Sequence, residues 1–170
     1  MRFYTFYLVA TSLLVACNPT FNWRDVRPEN TRLGVLMPCK PEKAQKTVVM
    51  GGKPVELNLV ACDAGGATFA VSVADVGRAS DMAATLTRWQ SATLANMKAT
   101  PNTPVTTVKV AGLPGGAALV AANGQRVNGQ AVSSQAVYFV QGTQVFQAVM
   151  YAAEIKPEVA ETFFSSLKFE

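Results

Sequence analysis

The 170-residue chain is predicted to form an α+β domain, with one antiparallel sheet of about six to eight strands and two helices packed on it. Three observations predict this class. Apolar and polar residues alternate in several short runs that are separated by glycine turns. Two other stretches repeat apolar residues at helical spacing. Apolar residues make up 49% of the chain and charged residues only 15%, which is enough for a core and argues against disorder.

The first block of strands is predicted between residues 33 and 75. Strands are expected at 33–38, 47–50, 55–63 and 68–75, with turns at Gly51-Gly52 and Gly65-Gly66. In the third of these strands, Val55, Leu57 and Leu59 share one face. Such alternation is typical of a half-buried strand, and the short turns predict an antiparallel meander.

The central helix is predicted after residue 80. Ser80 or Asp81 can cap it, and the prolines at 101 and 104 follow its end. Its apolar face recurs every three or four residues, which is more typical of a core than of a cofactor site. This face consists of Met82, Leu86, Trp89, Thr93 and Met97.

A second block of strands and a C-terminal helix complete the domain. Strands are expected at 105–110, 115–122, 131–140 and 143–151, with turns at Asn123-Gly124 and Gln141-Gly142. The last strand is apolar on both faces, which predicts cover on both sides by two helices, or by one helix and the N-terminal segment. Pro157 suits the first turn of the closing helix.

The N-terminus has the order of a secretory signal. Arg2 precedes an apolar run that ends with small residues before Cys17, and Asn18 and Pro19 stop the run short of the roughly 20 apolar residues of a membrane span. Leu14-Val15-Ala16-Cys17 resembles the lipobox of bacterial lipoproteins. This resemblance implies cleavage between Ala16 and Cys17 and acyl chains on Cys17. The alternative is an ordinary cleaved signal with a chance cysteine.

The lipobox divides the chain into a signal peptide (1–16), a lipidated N-terminus and tether (17–32) and one globular periplasmic domain (33–170). Each buried CH₂ group contributes about 0.8 kcal/mol, so two or three acyl chains would hold the protein on a membrane. In Gram-negative lipoproteins, Asp after the cysteine favours the inner membrane. Asn18 departs from that pattern. We therefore expect the outer membrane, facing the periplasm.

Lipidation of Cys17 leaves Cys39 and Cys62 in an oxidising compartment, which favours a disulfide between them. The alternative is two buried free thiols. A metal site is not predicted, because two thiolates without histidine lack the necessary ligands.

Aromatic and cationic side chains meet in the predicted tether, at Phe21, Trp23, Arg24 and Arg27. One interpretation is contact with the membrane or with a partner protein. The other is that Trp23 packs on the domain and holds the tether against it, which we favour.

The sequence contains no histidine, which excludes Ser-His-Asp and Cys-His catalysis. The glycine-rich stretch 112–116 lacks the Lys-Ser/Thr of a phosphate loop, so no cofactor is predicted. Loss of Arg2 with the signal leaves 14 basic against 11 acidic residues, a net charge of +3. This mild excess is spread along the chain, and no nucleic-acid partner is predicted.

The order of elements resembles the PsbP-like family, small α/β/α proteins of thylakoid lumens and bacterial envelopes. The resemblance rests on residues 33–40 with the following glycine hairpin, on the strand 69–75 and on the helix that contains Phe163-Phe164-Ser165-Ser166-Leu167. It implies a mostly non-enzymatic accessory, assembly or binding role and transfers no site residue.

The sequence therefore favours a lipid-anchored, non-enzymatic accessory subunit that binds another envelope protein. A small-molecule or lipid-binding periplasmic module is the alternative, and an enzyme is the least favoured. An exposed apolar patch would support the first function and a concave pocket the second.

Overall fold

The computed structural model describes residues 20–77 and 81–170, so Ala16 and Cys17 lie outside the described part. Eleven strands and two helices are found in these ranges, which confirms the α+β class. In chain order they are β1 (Arg24–Val26), β2 (Leu33–Met37), β3 (Glu42–Met50), β4 (Lys53–Ala64), β5 (Ala67–Asp75), α1 (Met82–Asn96), β6 (Thr100–Pro101), β7 (Thr106–Val108), β8 (Ala117–Gln125), β9 (Ala131–Gln141), β10 (Gln144–Ala152), α2 (Pro157–Ser165) and β11 (Lys168–Phe169).

Eight strands form the main antiparallel sheet, in the order β3-β4-β5-β10-β9-β8-β6, with β7 also paired to β8. The two predicted blocks of strands meet where β5 pairs with β10. Their register runs from Asp75 opposite Gln144 to Ala67 opposite Ala152. The centre of the sheet thus joins strands from the two halves of the chain, and β3 lies at one edge.

A separate three-stranded sheet, β1-β2-β11, was not predicted. It contains part of the predicted tether, because Arg24–Val26 pairs with 35–37 of β2. The backbone N–H of Asn22 also donates to the carbonyl of Pro38 at 2.7 Å. The prediction of a tether is therefore wrong for residues 20–32, which pack on the domain. A three-residue strand is too short to show alternation in the sequence.

The two helices cover opposite faces of the main sheet, giving three layers. On one face, Phe146, Ala148 and Met150 of β10 belong to the main core cluster, which also includes residues of β2 and α2. On the other face, Val145 and Val149 pack in clusters that include residues of α1. This arrangement confirms that the doubly apolar last strand is covered twice, by one helix and the N-terminal segment on one side and by α1 on the other.

Helix α1 begins where the sequence predicts. The side chain of Asp81 accepts a hydrogen bond of 3.0 Å from the backbone N–H of Ala84, as an N-cap residue should. Leu86 and Trp89 face the sheet, and Met97 caps the C-terminal end. The predicted apolar stripe is thus the packing face of the helix.

The predicted hairpin turn at Asn123-Gly124 is wrong, because β8 continues through both residues to Gln125. The chain reverses later, between β8 and β9, where Gly129 has a φ of 83°. Gly124 instead lies against the end of α1, where an added Cβ would come 2.4 Å from the carbonyl oxygen of Met97. Glycine therefore serves a close backbone approach here and not a turn.

A disulfide joins Cys39 and Cys62, as predicted. Their Cα atoms lie 6.0 Å apart, and the two cysteines are separated by 23 positions in the sequence. The bond ties the loop after β2 to β4, and so links the small sheet to the main one. In the chain-entropy model, a loop of this length stabilises the fold by about 3 kcal/mol.

Candidate functional site

The aromatic residues of the N-terminal segment belong to the core. The Trp23 ring lies 5.8 Å from that of Phe21 and meets the buried Phe69 edge-on at 6.2 Å. Both N-terminal aromatics are partly buried against the main core cluster. This agrees with the interpretation that Trp23 holds its segment against the domain.

The two arginines of the same segment lie nearer the surface. Arg24 donates through Nε to the carbonyl of Asn22 at 3.4 Å. Arg27 Nη2 pairs with a carboxylate oxygen of Glu170 at 2.6 Å, with both side chains about half exposed. Such a pair contributes at most about 1 kcal/mol, so its main effect is to bring the two ends of the domain together.

Few large apolar side chains are exposed among the described residues. Those that are exposed, Val49, Val105 and Val127, belong to three different segments. Because Trp23 is packed, the described part of the N-terminal segment does not form the aromatic patch that a partner would bind.

A solvent-open groove of about 420 Å³ lies beside the C-terminal end of α1, and we call it the Gln147 cavity. Its walls come from α1, the β8–β9 turn and strand β10. Its lining residues include Trp89, Thr93, Arg126, Val132, Gln147 and Tyr151. Its volume falls in the range typical of small-molecule sites, about 300–1,000 Å³.

Gln147 is the polar residue at the base of this cavity, with only 6% of its surface exposed. Its Nε2 donates to the hydroxyl oxygens of Thr93 at 3.0 Å and Tyr138 at 2.9 Å. Thr93 in turn donates to the backbone carbonyl of Trp89 at 3.0 Å. The amide thus links α1 to strands β9 and β10, and this network fixes its orientation.

The other amide atom of Gln147 remains an acceptor. Both Nε2 hydrogens are used, and no described donor binds Oε1. No fully enclosed side-chain nitrogen or oxygen in the described ranges lacks a partner, so Oε1 keeps a small exposed surface, and Gln147 lines the cavity. A buried acceptor at the base of a concave site is suited to bind a ligand donor.

Two phenols near the cavity are held in the neutral form. Burial raises the pKa of Tyr151 to about 12, with a further rise from Tyr138 and a partial offset from the positive charge of Arg126. Burial also raises the pKa of Tyr138, although its hydrogen bonds with Thr93 and Gln147 oppose that rise. Tyr151 therefore keeps its proton at physiological pH.

The polar lining of the cavity includes the amide of Gln147, the hydroxyl of Tyr151 and the exposed cation of Arg126, together with the amides of Asn96 and Gln125. Trp89 and Val132 supply apolar wall. No acidic residue lines it. The arrangement suits a small molecule with an apolar body and a few polar groups.

The described residues hold no group of three or more His, Cys, Asp or Glu that could bind a metal ion. Neither described helix is long and apolar enough to cross a membrane.

Sequence reasoning missed Gln147 and Tyr151 as site residues, although one signal was present. Gln147 is the polar interruption in a strand whose other central residues are apolar on both faces. A buried amide in such a strand needs hydrogen-bond partners. Here they are Thr93 and Tyr138, which lie on other elements of the fold.

No protein-family model matches the sequence, and no curated protein matches it either. Among solved structures, the chain is similar to a Bacteroides thetaiotaomicron VPI-5482 protein whose crystal structure was determined at 1.50 Å resolution. The two share 15% sequence identity with a TM-score of 0.49. The match covers 81% of this chain and 45% of that one, so it spans less than half the length of the solved protein.

Proposed function

We propose that this chain is a lipid-anchored, non-enzymatic envelope lipoprotein whose domain binds a small molecule in the Gln147 cavity. The observation that carries the proposal is the buried Gln147 amide, whose nitrogen is fixed by Thr93 and Tyr138 while its oxygen has no partner among the described residues, in a residue that lines the cavity. A pre-oriented acceptor in a concave, partly apolar site favours binding, because little ordering remains to be done when the ligand enters.

A binding role agrees better with the chemistry of the cavity than catalysis does. Its polar groups are amides, hydroxyls and a guanidinium, and a phenol with a pKa of about 12 is a poor base at neutral pH. With no histidine in the chain, none of these groups has a neighbour that would activate it as a nucleophile.

The membrane partner is proposed from the N-terminal sequence. Acyl chains on Cys17 would place the domain on the outer membrane of a Gram-negative cell, facing the periplasm. The resemblance to PsbP-like envelope proteins supports the same general role, that of a binding or accessory module.

An accessory subunit is the second candidate, and the edge strand β3 favours it. Its nine residues pair with β4 on one side and have no other strand neighbour in the described sheet. An open edge can accept a strand from another envelope protein. The lysines on β3 argue the other way, because charged side chains on an edge strand discourage such pairing.

A fragment screen by saturation-transfer NMR tests the binding function. The full chain carrying Cys17→Ser can be used without detergent. We expect several fragments to bind, and we expect them to compete with one another for a single site. Gln147→Leu should weaken them by about tenfold or more, because it removes the acceptor and frees the Thr93 and Tyr138 hydroxyls.

Gln144→Leu is the matched control. Gln144 lies on the same strand and donates to the backbone carbonyl of Asn30 at 2.9 Å, away from the cavity. Gln144→Leu makes the same chemical change as Gln147→Leu, and it removes the hydrogen bond to Asn30. Fragments should therefore bind this variant as they bind the parent chain. The proposal would be contradicted if both variants lost fragment binding equally, or if the fragments bound Gln147→Leu as well as the parent chain.

A further inference from the structure

A second groove lies on the opposite side of α1, between this helix and the β3–β4 hairpin. We call it the hairpin groove. Its volume is about 520 Å³. Lys46, Met50, Leu57, Thr85, Arg88 and Trp89 are the lining residues that matter here. It does not contain Gln147, Tyr151 or Arg126, although Trp89 and Asn96 of α1 line both sites.

Two cations stand on facing walls of the hairpin groove, Lys46 on β3 and Arg88 on α1. Both are exposed, and neither forms an ion pair within the described ranges. No aspartate or glutamate lines the groove. Two uncompensated positive charges in one concave site raise the local concentration of anions.

The floor between these cations is apolar. Met50 and Leu57 of the hairpin and Trp89 of α1 are partly buried and pack against the small cluster around Val145. All three line the groove, and Trp89 also lines the Gln147 cavity. An occupant that covers this floor would gain about 25 cal/mol for each Å² of apolar surface removed from water.

Thr85 is the buried polar group of the groove. Only 2% of its surface is exposed, and its hydroxyl has no hydrogen-bond partner among the described residues. No fully enclosed side-chain oxygen or nitrogen in the described ranges lacks a partner, so this hydroxyl keeps a small exposed surface, and Thr85 lines the groove. It is an unused donor and acceptor beside an apolar floor.

We propose that the hairpin groove binds a small anionic amphiphile, a single-chain carboxylate of the fatty-acid type. The carboxylate is held by Lys46 and Arg88, and the alkyl chain lies on Met50, Leu57 and Trp89. The hydroxyl of Thr85 supplies a further hydrogen bond inside the groove. A groove of about 520 Å³ is of the size that takes a drug-sized molecule, which favours one short chain over a two-chain phospholipid.

Calorimetry with three probes of equal chain length tests this proposal: octanoate, octan-1-ol and octyltrimethylammonium. The full chain carrying Cys17→Ser is used in detergent-free buffer. We expect octanoate to bind at least tenfold more tightly than octan-1-ol, and octyltrimethylammonium to bind most weakly. Lys46→Gln and Arg88→Gln should each weaken octanoate by about fivefold, and the double variant should remove its advantage over octan-1-ol.

Lys156→Gln is the matched control, because it makes the same charge change at the start of α2, on the opposite face of the sheet. Octanoate should bind this variant unchanged. Equal affinity for octanoate and octan-1-ol, no octanoate binding at all, or an equal effect of all three lysine and arginine substitutions would overturn the proposal. None of these results bears on the Gln147 cavity, whose ligands are tested with Gln147→Leu.

Discussion

Phe69→Ala is expected to lower the free energy of unfolding by about 4 kcal/mol, as large-to-small substitutions of fully buried aromatics do. Phe69 is completely buried on β5. It meets Trp23 at 6.2 Å and Phe163 of α2 at 5.3 Å, both edge-on. The ring therefore joins the N-terminal segment, the main sheet and α2, and its loss leaves a cavity where these three parts of the fold meet.

Urea unfolding, followed by circular dichroism, measures this change. Small domains are stable by about 5–15 kcal/mol, so the variant should still fold but unfold at a clearly lower urea concentration. Val49→Ala is the control, because Val49 is 75% exposed on the edge strand and should change stability by no more than about 0.5 kcal/mol. A loss below about 1 kcal/mol in Phe69→Ala would contradict the packing described for this ring.

Cys17→Ser is expected to move the protein from the membrane pellet to the soluble periplasmic fraction. The substitution removes the thiol that the lipobox modifies, and with it the acyl chains that would hold the domain on the membrane. Fractionation of cells followed by immunoblotting gives the distribution.

Cys39→Ser is the matched control for this experiment. Like Cys17→Ser, it replaces a cysteine sulfur by oxygen, but it breaks the Cys39–Cys62 disulfide and leaves Cys17 intact. This variant should stay in the membrane pellet while losing about 3 kcal/mol of stability. If Cys17→Ser also stays in the pellet, the protein is held there by something other than lipid on Cys17.

The sequence was most informative where alternation and glycine turns coincide. Strands β4, β5, β9 and β10 and helix α1 lie where they were expected, because each buries an apolar face whose period shows in the sequence. Two of the features that the sequence did not predict have a plain physical reason. Strand β3 begins five residues before the prediction, since residues 42–46 lie exposed on an edge and need no apolar face. Strand β1 owes its existence to pairing with β2, which is a tertiary effect.

The candidate site was much less predictable than the fold. Gln147 alone could have been noticed as a polar residue in an apolar strand. Its partners Thr93 and Tyr138 come from α1 and β9, and only the packing of the helix on the sheet brings them within 3.0 Å. The same packing creates both grooves beside α1, because a helix narrower than an eight-stranded sheet leaves concave strips on either side.

Native mass spectrometry of the full chain, gently extracted from the envelopes of its host, tests the central claim most directly. We predict a chain that starts at an acylated Cys17 and carries a small-molecule adduct, together with loss of that adduct from Gln147→Leu but not from Gln144→Leu. A protein-sized adduct alone would favour the accessory role instead. An unmodified Cys17, or the absence of a small-molecule adduct from the parent chain, would contradict the account of a lipid-anchored domain that binds a small molecule in the Gln147 cavity.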